Sequence, residues 1–301
     1  MLVEADGRRS LNGVARRIAG GAVVVAALYM ATCGYMWATQ KQVVFVPTAT
    51  LQTTPERMGM KSETLRIPVG SGADRGELYA WFVPADNAGA PTFLFLHGNY
   101  RNIANNLEHA QRLHNMGFNV LLADYRGYGL SSGGQPSEAK VYEDAEAAWQ
   151  YLLKARGARP QRTFIYGHSL GGAVAIDLAA RHPEAAGLVI ESTFTSMRAM
   201  GEIEYGFLPV GLLLDQRFDA LEKIPRIKIP ALLIHGTWDK KVPVGMARQL
   251  FDAAPQPRTL TLIEGGEHNN SGAIGWVEYR DAVSAFVRQY AHQENYGLTG
   301  N

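Results

Sequence analysis

The chain has 301 residues and a net charge of +1, with 29 Lys and Arg against 28 Asp and Glu. Its 47% hydrophobic content excludes a disordered chain, and the balanced charge excludes a protein that binds nucleic acid through a basic surface. A single cysteine excludes an intramolecular disulfide framework and a cysteine-based zinc or iron–sulfur site. The length fits one large α/β domain or two small ones.

An uncharged apolar run covers residues 18–38, close to the N-terminus. As a helix it would be about 31 Å long, which is enough to cross the hydrocarbon core of a bilayer. Four arginines precede the run, at positions 8, 9, 16 and 17, so the positive-inside rule places the N-terminus in the cytoplasm. We therefore predict a single-pass membrane protein, with residues 1–40 as a cytoplasmic stub and anchor. The remaining chain is expected on the exported side, periplasmic or extracellular.

Three other interpretations of this run remain open. A cleaved signal peptide would release a secreted protein, although the run is longer than a usual signal-peptide core. A lipoprotein signal would use Cys33 as its acylated residue, but Thr32 is a poor match for that processing site. A buried core helix would also be apolar, yet its position at the extreme terminus behind four arginines disfavours it.

Residues 41–301 are predicted to form one domain in which buried strands alternate with amphipathic helices. Two early strands, 64–69 and 77–83, are expected to form a hairpin. Continuous apolar runs predict buried strands over 92–96, 119–123, 163–166, 188–190, 231–234 and 259–263. Helical spacing is found over 102–116, from Ser137 past Trp149, and over 170–181, 243–251 and 274–290. This order predicts a mostly parallel sheet with helices on both faces. Residues 192–228 contain helical fragments without a strand and are interpreted as a small lid.

The segment Gly167–Gly171 matches the pattern G-x-S-x-G, with Ser169 at its centre. It follows a predicted strand and opens a predicted helix, which is the setting of a nucleophile elbow. There Ser169 would be presented at the helix N-terminus as the nucleophile, and the Leu170 N–H would face a developing oxyanion. A glycine-rich turn containing a hydrogen-bonding serine is the simpler alternative.

A serine nucleophile needs a base, and His268 is the best placed of the eight histidines. It lies in the loop between the last strand and the last long helix, on the same sheet edge as the elbow. His97 and His235 end strands and are expected to be structural. The remaining histidines follow no partner pattern: His168 is expected to be packed or solvent-facing, and surface roles are expected for His109, His114, His182 and His292.

The acid that orients the base is predicted to be Asp239, which follows the strand 231–234. Asp215 and Asp219 in the lid are the alternatives. The second oxyanion donor is expected in the loop after strand 92–96, where Gly98 allows a close turn. The Asn99 N–H is the first candidate there and Tyr100 the next, although a plain glycine turn also explains this sequence.

Six segments in one order resemble the α/β-hydrolase superfamily: LFLHGN, DYRGYGLSSG, GHSLGG, ESTFTS, HGTWDKKVP and GGEHN. The resemblance covers residues 42–290 and is strongest to a membrane-anchored branch that is similar to serine aminopeptidases and monoacylglycerol lipases. It implies an eight-stranded sheet with an antiparallel second strand and a small cap. It also implies Ser169 as nucleophile, Asp239 as acid and His268 as base, with Asn99 and Leu170 as oxyanion donors. Ser192 departs from the asparagine that is frequent in relatives.

These residues predict two-step acyl transfer from an ester through an acyl-enzyme, without a metal or an organic cofactor. A serine peptidase or an acyl-thioesterase with the same triad is the alternative enzyme, and a non-catalytic binding module is the alternative of another class. The expected partner is a small acyl ester or lipid, contacted by Tyr100, Phe207 and Leu212. The apolar lid residues around 207–214 would either line an acyl pocket or simply pack the lid onto the sheet. The sequence carries no signal for an oligomeric state.

Overall fold

The computed structural model describes the backbone of residues 4–87 and 89–291, with side chains from residue 14 onward. The arginines at positions 8 and 9 and the histidine at position 292 therefore lie outside the described side chains. The described part forms ten strands: β1 (Val46–Pro47), β2 (Glu63–Val69), β3 (Gly76–Val83), β4 (Thr92–Leu96), β5 (Tyr100–Arg101), β6 (Asn119–Ala123), β7 (Thr163–His168), β8 (Gly187–Glu191), β9 (Ala231–Gly236) and β10 (Arg258–Ile263).

Helices connect most of these strands along the chain. They are α1 (Glu4–Val44), α2 (Leu107–Asn115), α3 (Glu138–Lys154), α4 (Leu170–Arg181), α5 (Met197–Glu204), α6 (Val210–Leu213), α7 (Ala220–Lys223), α8 (Val244–Ala253), α9 (Ser271–Ile274) and α10 (Trp276–Tyr290). The third helix begins where the sequence predicts it, because the Ser137 side chain accepts a hydrogen bond from the Lys140 N–H as an N-cap.

The main sheet has eight strands in the order β10-β9-β8-β7-β4-β6-β3-β2. β3 runs antiparallel to both of its neighbours, β2 and β6, and forms the predicted hairpin with β2. The predicted fold class is therefore confirmed, including the antiparallel second strand of the sheet. The carboxyl ends of β7, β8 and β9 lie at one sheet edge, which is where parallel α/β sheets place their sites.

Helices cover both faces of the sheet, as predicted. Along β4 alternate side chains enter different cores: Leu94 and Leu96 pack with α3, α4 and α8, while Phe93 and Phe95 pack with α2 and α10. All five residues of β4 are buried, which explains the continuous apolar run in its sequence. The sheet therefore provides a rigid base for the loops at its carboxyl edge.

Two details differ from the sequence predictions. The predicted helix 274–290 corresponds to α10, and a further short helix, α9, precedes it and is separated from it at Gly275. A second, two-stranded sheet pairs β1 with β5 in parallel, joining Val46 to Tyr100 and Pro47 to Arg101. Each of its strands has only two residues, which is too short for a hydrophobic pattern to predict.

The first helix, called the anchor helix below, continues past residue 40 to Val44 without a break. Val44 and the following Phe45 are 5% and 2% exposed and belong to the main core, so the end of this helix is built into the domain. Residues 14–44 contain an 18-residue window with a mean hydropathy of 1.7, and only 6% of that window is buried. Such a helix suits a membrane span or an N-terminal signal sequence rather than a core helix.

The lid, residues 192–228, contains α5, α6 and α7 and no strand, as expected. It packs against the last turns of the anchor helix. Cys33 of the anchor forms a small apolar cluster with Leu208 and Val210 of the lid. The anchor helix and the lid therefore form one continuous structure above the sheet edge.

Candidate active site

Ser169 lies at the tight turn between β7 and α4. Its φ of 55° and ψ of −121° are unusual for a residue with a side chain, and such strain is typical of a nucleophile elbow. The Ser169 N–H donates to the Glu191 carbonyl at 2.9 Å, which holds the turn against β8. A Cβ at Gly171 would lie 2.0 Å from the Leu96 carbonyl oxygen, so only glycine allows helix α4 to approach β4 this closely.

The structure brings Ser169, His268 and Asp239 together from three separate loops. Ser169 Oγ lies 3.0 Å from His268 Nε2, and His268 Nδ1 lies 2.7 Å from Asp239 Oδ2. With a proton on Nδ1, the other ring nitrogen is free to accept the serine proton. This arrangement has the geometry of a nucleophile, its general base and the acid that orients the base.

Asp239 is held by the loop after β9. Its Oδ1 accepts hydrogen bonds from the N–H groups of Lys241 and Val242 at 2.9 and 2.8 Å. Burial alone would raise the pKa of Asp239, but the hydrogen bond and charge attraction of His268, with the Val242 N–H, hold the pKa below its usual value. Asp239 is therefore ionised at neutral pH. His235 donates from Nε2 to the Val242 carbonyl, which is the structural role expected of it.

The two predicted oxyanion donors lie beside the serine. Leu170 is the first residue of α4, so helix geometry leaves its N–H without an intrahelical acceptor. Asn99 follows Gly98, whose added Cβ would lie 3.4 Å from Ser169 Cβ. Within the described residues no acceptor pairs with the Asn99 N–H, and both amides line the cavity that contains the serine.

The backbone of Asn99 is fixed by the segment that follows the anchor helix. Its carbonyl accepts from the Val46 N–H at 3.0 Å and from the Tyr128 hydroxyl at 2.9 Å. Its side-chain amide donates to the carbonyl of Val44, the last residue of α1, at 2.9 Å. The position of this predicted oxyanion donor therefore depends on the end of the anchor helix, a dependence that no sequence pattern indicates.

Ser169 and His268 open into a cavity of about 660 Å³, called the catalytic cavity below. Tyr100 lines this cavity, as predicted. Phe207 and Leu212, the other two predicted substrate contacts, do not: they are 68% and 87% exposed on the outside of the lid. Residues of α5 line the cavity instead, because α5 rather than α6 faces Ser169.

Met197 and Met200 are the apolar lid residues that do line the catalytic cavity. They are three positions apart on α5 and therefore lie on the same helix face. This spacing is present in the sequence, but the predicted substrate contacts rest on the longer apolar run at 207–214 instead. Phe194 also lines the cavity, and the charged residues Glu108, Glu204, Lys240 and Lys241 lie on its wall.

A buried histidine supports the loop that carries His268. His168 is 4% exposed, and its Nε2 lies 3.0 Å from the His268 carbonyl oxygen. Its ring packs between the rings of His109 and His268, at centroid distances of 4.6 and 5.2 Å. His168 is therefore packed, which is one of its two predicted environments. It connects the loop that carries His268 to the end of β7.

The predicted surface role of His109 is wrong. This residue is 5% exposed, and its Nδ1 lies 3.1 Å from the carboxylate of Glu191, which is fully buried. The Tyr166 hydroxyl donates to the same carboxylate. Burial opposes the charge on Glu191, but His109 and Arg112 hold its pKa well below the usual range. A buried anion therefore lies directly behind the serine turn.

The buried histidines predict a loss of stability in acid. Burial lowers the pKa of His97 to about 4, and burial with the neighbouring His109 and His268 lowers the pKa of His168 to about 3. Between those values and about 6.5 the unfolded chain binds more protons, so the free energy of unfolding falls as pH falls through this range. Each histidine contributes up to about 1.4 kcal/mol per pH unit.

Denaturant unfolding of the full chain in detergent, measured from pH 7 to pH 4, checks this expectation. The variant His168→Gln should have a shallower pH dependence than the native chain. Equal slopes for the two proteins would contradict the assignment of a neutral, buried His168.

Among the described residues, no group of three or more His, Cys, Asp or Glu side chains is placed to hold a metal ion.

Comparisons with known proteins indicate the family of this chain. The sequence profile of the serine aminopeptidase family S33 matches residues 90–214. An uncharacterized protein of Mycobacterium tuberculosis is 31% identical over 269 residues, which are 89% of this chain and 94% of that protein. The α/β-hydrolase domain-containing protein WAV2 of Arabidopsis thaliana is 28% identical over 304 residues, covering 93% and 96% of the two chains.

Solved structures give the same fold. A Pyrococcus furiosus esterase superposes with a TM-score of 0.67 at 21% identity, covering 82% of this chain and 98% of its own. At that identity the superposition supports the architecture, while the family follows from the sequence matches. The chain belongs to the α/β-hydrolase superfamily, and its residues 90–214 are similar to serine aminopeptidases.

Proposed function

We propose that the protein is a serine hydrolase that cleaves carboxylic esters through an acyl-enzyme. The observation that carries this proposal is the unbroken contact from Ser169 Oγ through the His268 ring to the Asp239 carboxylate. A plain hydrogen-bonding serine would need neither a strained backbone nor an oriented imidazole. A binding module that kept only the fold would have no use for such an arrangement.

The reaction follows from these positions. His268 Nε2 takes the proton of Ser169 Oγ as the oxygen attacks the ester carbonyl, and the N–H groups of Asn99 and Leu170 stabilise the oxyanion. The protonated imidazole then gives its proton to the leaving alcohol, and Asp239 stabilises the imidazolium meanwhile. Water, deprotonated by His268, attacks the acyl carbon of the acyl-enzyme. The bond from that carbon to Ser169 Oγ then breaks, the imidazolium returns its proton to Oγ, and the acid is released.

Apolar lining residues favour an ester with a hydrocarbon acyl group. Leu170, Phe194, Met197 and Met200 surround the serine side of the catalytic cavity. A serine peptidase acting on aminoacyl amides is the second candidate, because Glu108 and Glu204 line the same cavity and either carboxylate suits a substrate ammonium group. The family match to serine aminopeptidases supports this second candidate as well.

A substrate panel on the full chain in detergent distinguishes these candidates. It compares kcat/KM for aryl esters, acyl thioesters and aminoacyl anilides. Each reaction is followed by the absorbance of the leaving group or of its reaction product with a thiol reagent. We expect the highest kcat/KM for the esters, with the anilides at least about tenfold lower. Faster hydrolysis of the aminoacyl anilides would replace the ester proposal by the peptidase.

We also propose that the anchor helix spans a membrane, with the catalytic domain on the exported side. The apolar run over 18–38 within this helix and the four arginines before the run support this orientation. A reporter enzyme fused after residue 301 tests it. Activity of a reporter that works only in the cytoplasm would overturn the exported orientation, and recovery of the chain without its first 40 residues would indicate cleavage.

A further inference from the structure

A second cavity, of about 280 Å³, lies between the anchor helix and the lid and is called the anchor–lid cavity below. The anchor helix contributes Met36 and Val43 to its wall, and the lid contributes Leu208, Val210 and Leu214. Its lining is largely apolar, unlike the mixed lining of the catalytic cavity. A cavity of this size and character suits a hydrocarbon chain rather than a polar ligand.

The anchor–lid cavity adjoins the catalytic cavity. Asn99, Met197, Met200 and Glu204 line both of them. Asn99 is the proposed oxyanion donor, so one end of the apolar cavity lies beside the position of the reacting carbonyl. An acyl chain attached to that carbonyl can therefore extend directly into the space between the anchor helix and the lid.

The two walls of this cavity are held together by hydrogen bonds. Gln40 of the anchor helix is 8% exposed, and its Oε1 accepts from the Asp215 N–H at 2.7 Å. Its Nε2 donates to the Leu213 carbonyl at 3.2 Å. About three turns closer to the N-terminus of the anchor helix, the Tyr29 hydroxyl donates to the Phe207 carbonyl at 3.1 Å. The cavity is therefore a built feature of the anchor–lid junction.

The outside of the lid beside this junction is apolar and exposed. Ile203, Phe207 and Leu212 are 54%, 68% and 87% exposed, next to a helix whose own apolar side chains are exposed as well. Exposed apolar side chains in one region mark a lipid or protein contact. Contact of these side chains with lipid would remove their apolar surface from water.

We propose that the anchor–lid cavity binds the acyl chain of a membrane lipid ester, with the anchor helix forming one wall of the substrate site. The inference rests on the proposed ester hydrolase and names its substrate class. The ester carbonyl lies at Asn99 and Leu170, and the alcohol part lies toward Lys240 and Lys241 in the catalytic cavity. The helix thus acts both as anchor and as part of the binding site.

A chain-length experiment tests this role of the anchor helix. The full chain and the variant Met36→Trp, in which an indole fills part of the cavity, are assayed with 4-nitrophenyl acetate and 4-nitrophenyl dodecanoate. Fluorophosphonate titration gives the concentration of active sites in each sample. We expect the ratio of kcat/KM for dodecanoate to that for acetate to fall at least about tenfold in Met36→Trp.

Ala38→Trp is the matched control, because Ala38 lies on the same helix and is exposed. It should keep the native ratio. An unchanged ratio in Met36→Trp, or a native enzyme that does not prefer dodecanoate over acetate, would overturn the acyl-chain site while leaving the ester hydrolase intact. Absence of Ser169-dependent turnover for both esters would instead overturn the proposed function. If Met36→Trp yields too little active enzyme for titration, Val43→Trp provides the same test, because Val43 lines the same cavity further along the helix.

Discussion

Replacement of Ser169 by alanine is expected to lower kcat for ester hydrolysis by at least about 10⁴-fold. The hydroxyl is the proposed nucleophile, and the cavity offers no second serine within reach of His268 Nε2 among the described residues. The side chain of alanine fits the same space, and the glycines around the turn are unchanged. Steady-state assays with a short aryl ester, normalised by protein that elutes as native, measure this loss.

Ser192 provides the control for that variant. It is a buried serine at the end of β8 with a φ of 53°, and within the described residues its hydroxyl has no hydrogen-bond partner. Ser192→Ala removes the same atom from a similarly strained backbone and should keep activity within about twofold of the native enzyme. Equal losses for the two variants would point to a general structural effect instead of a nucleophile.

The second large effect is expected for Asp239→Asn, with a fall in kcat of about 10³- to 10⁴-fold at neutral pH. The Lys241 and Val242 N–H groups fix the amide oxygen on their side. The amide NH₂ then faces His268 Nδ1 and favours the tautomer with its proton on Nε2. That nitrogen can no longer accept the serine proton, so the chemical step slows while substrate binding remains.

The pH dependence of kcat for Asp239→Asn measures this effect. Asp219→Asn is its control, because Asp219 was an alternative acid in the sequence and lies in the lid in an ion pair with Arg217 at 2.8 Å. The control should retain native kcat. Strong loss in Asp219→Asn together with native activity in Asp239→Asn would exchange the roles assigned to the two carboxylates.

The strands of the sheet were predictable because local sequence determines them. Buried strands such as β4 are continuous apolar runs, and all of the main-sheet strands were predicted within two residues of their bounds. Ser169, Asp239 and His268 were predictable for a related reason. Each follows a strand of the same sheet, and the carboxyl ends of parallel strands meet at one edge.

Features that depend on contacts between distant segments were not predictable. His109 looked like a surface residue on an amphipathic helix, but its partner Glu191 is 82 positions away. Phe207 and Leu212 looked like pocket residues because they are apolar, whereas their exposure depends on how the lid sits against the anchor helix. The end of that helix packs into the main core through Val44, and this packing also depends on contacts between distant segments.

Covalent labelling of the full chain with a fluorophosphonate, followed by intact-mass and peptide mass spectrometry, decides whether Ser169 is an activated nucleophile. We expect one adduct per chain, located on Ser169, and no adduct on Ser169→Ala. A folded native chain that does not label, or a Ser169→Ala variant that labels equally well, would contradict it.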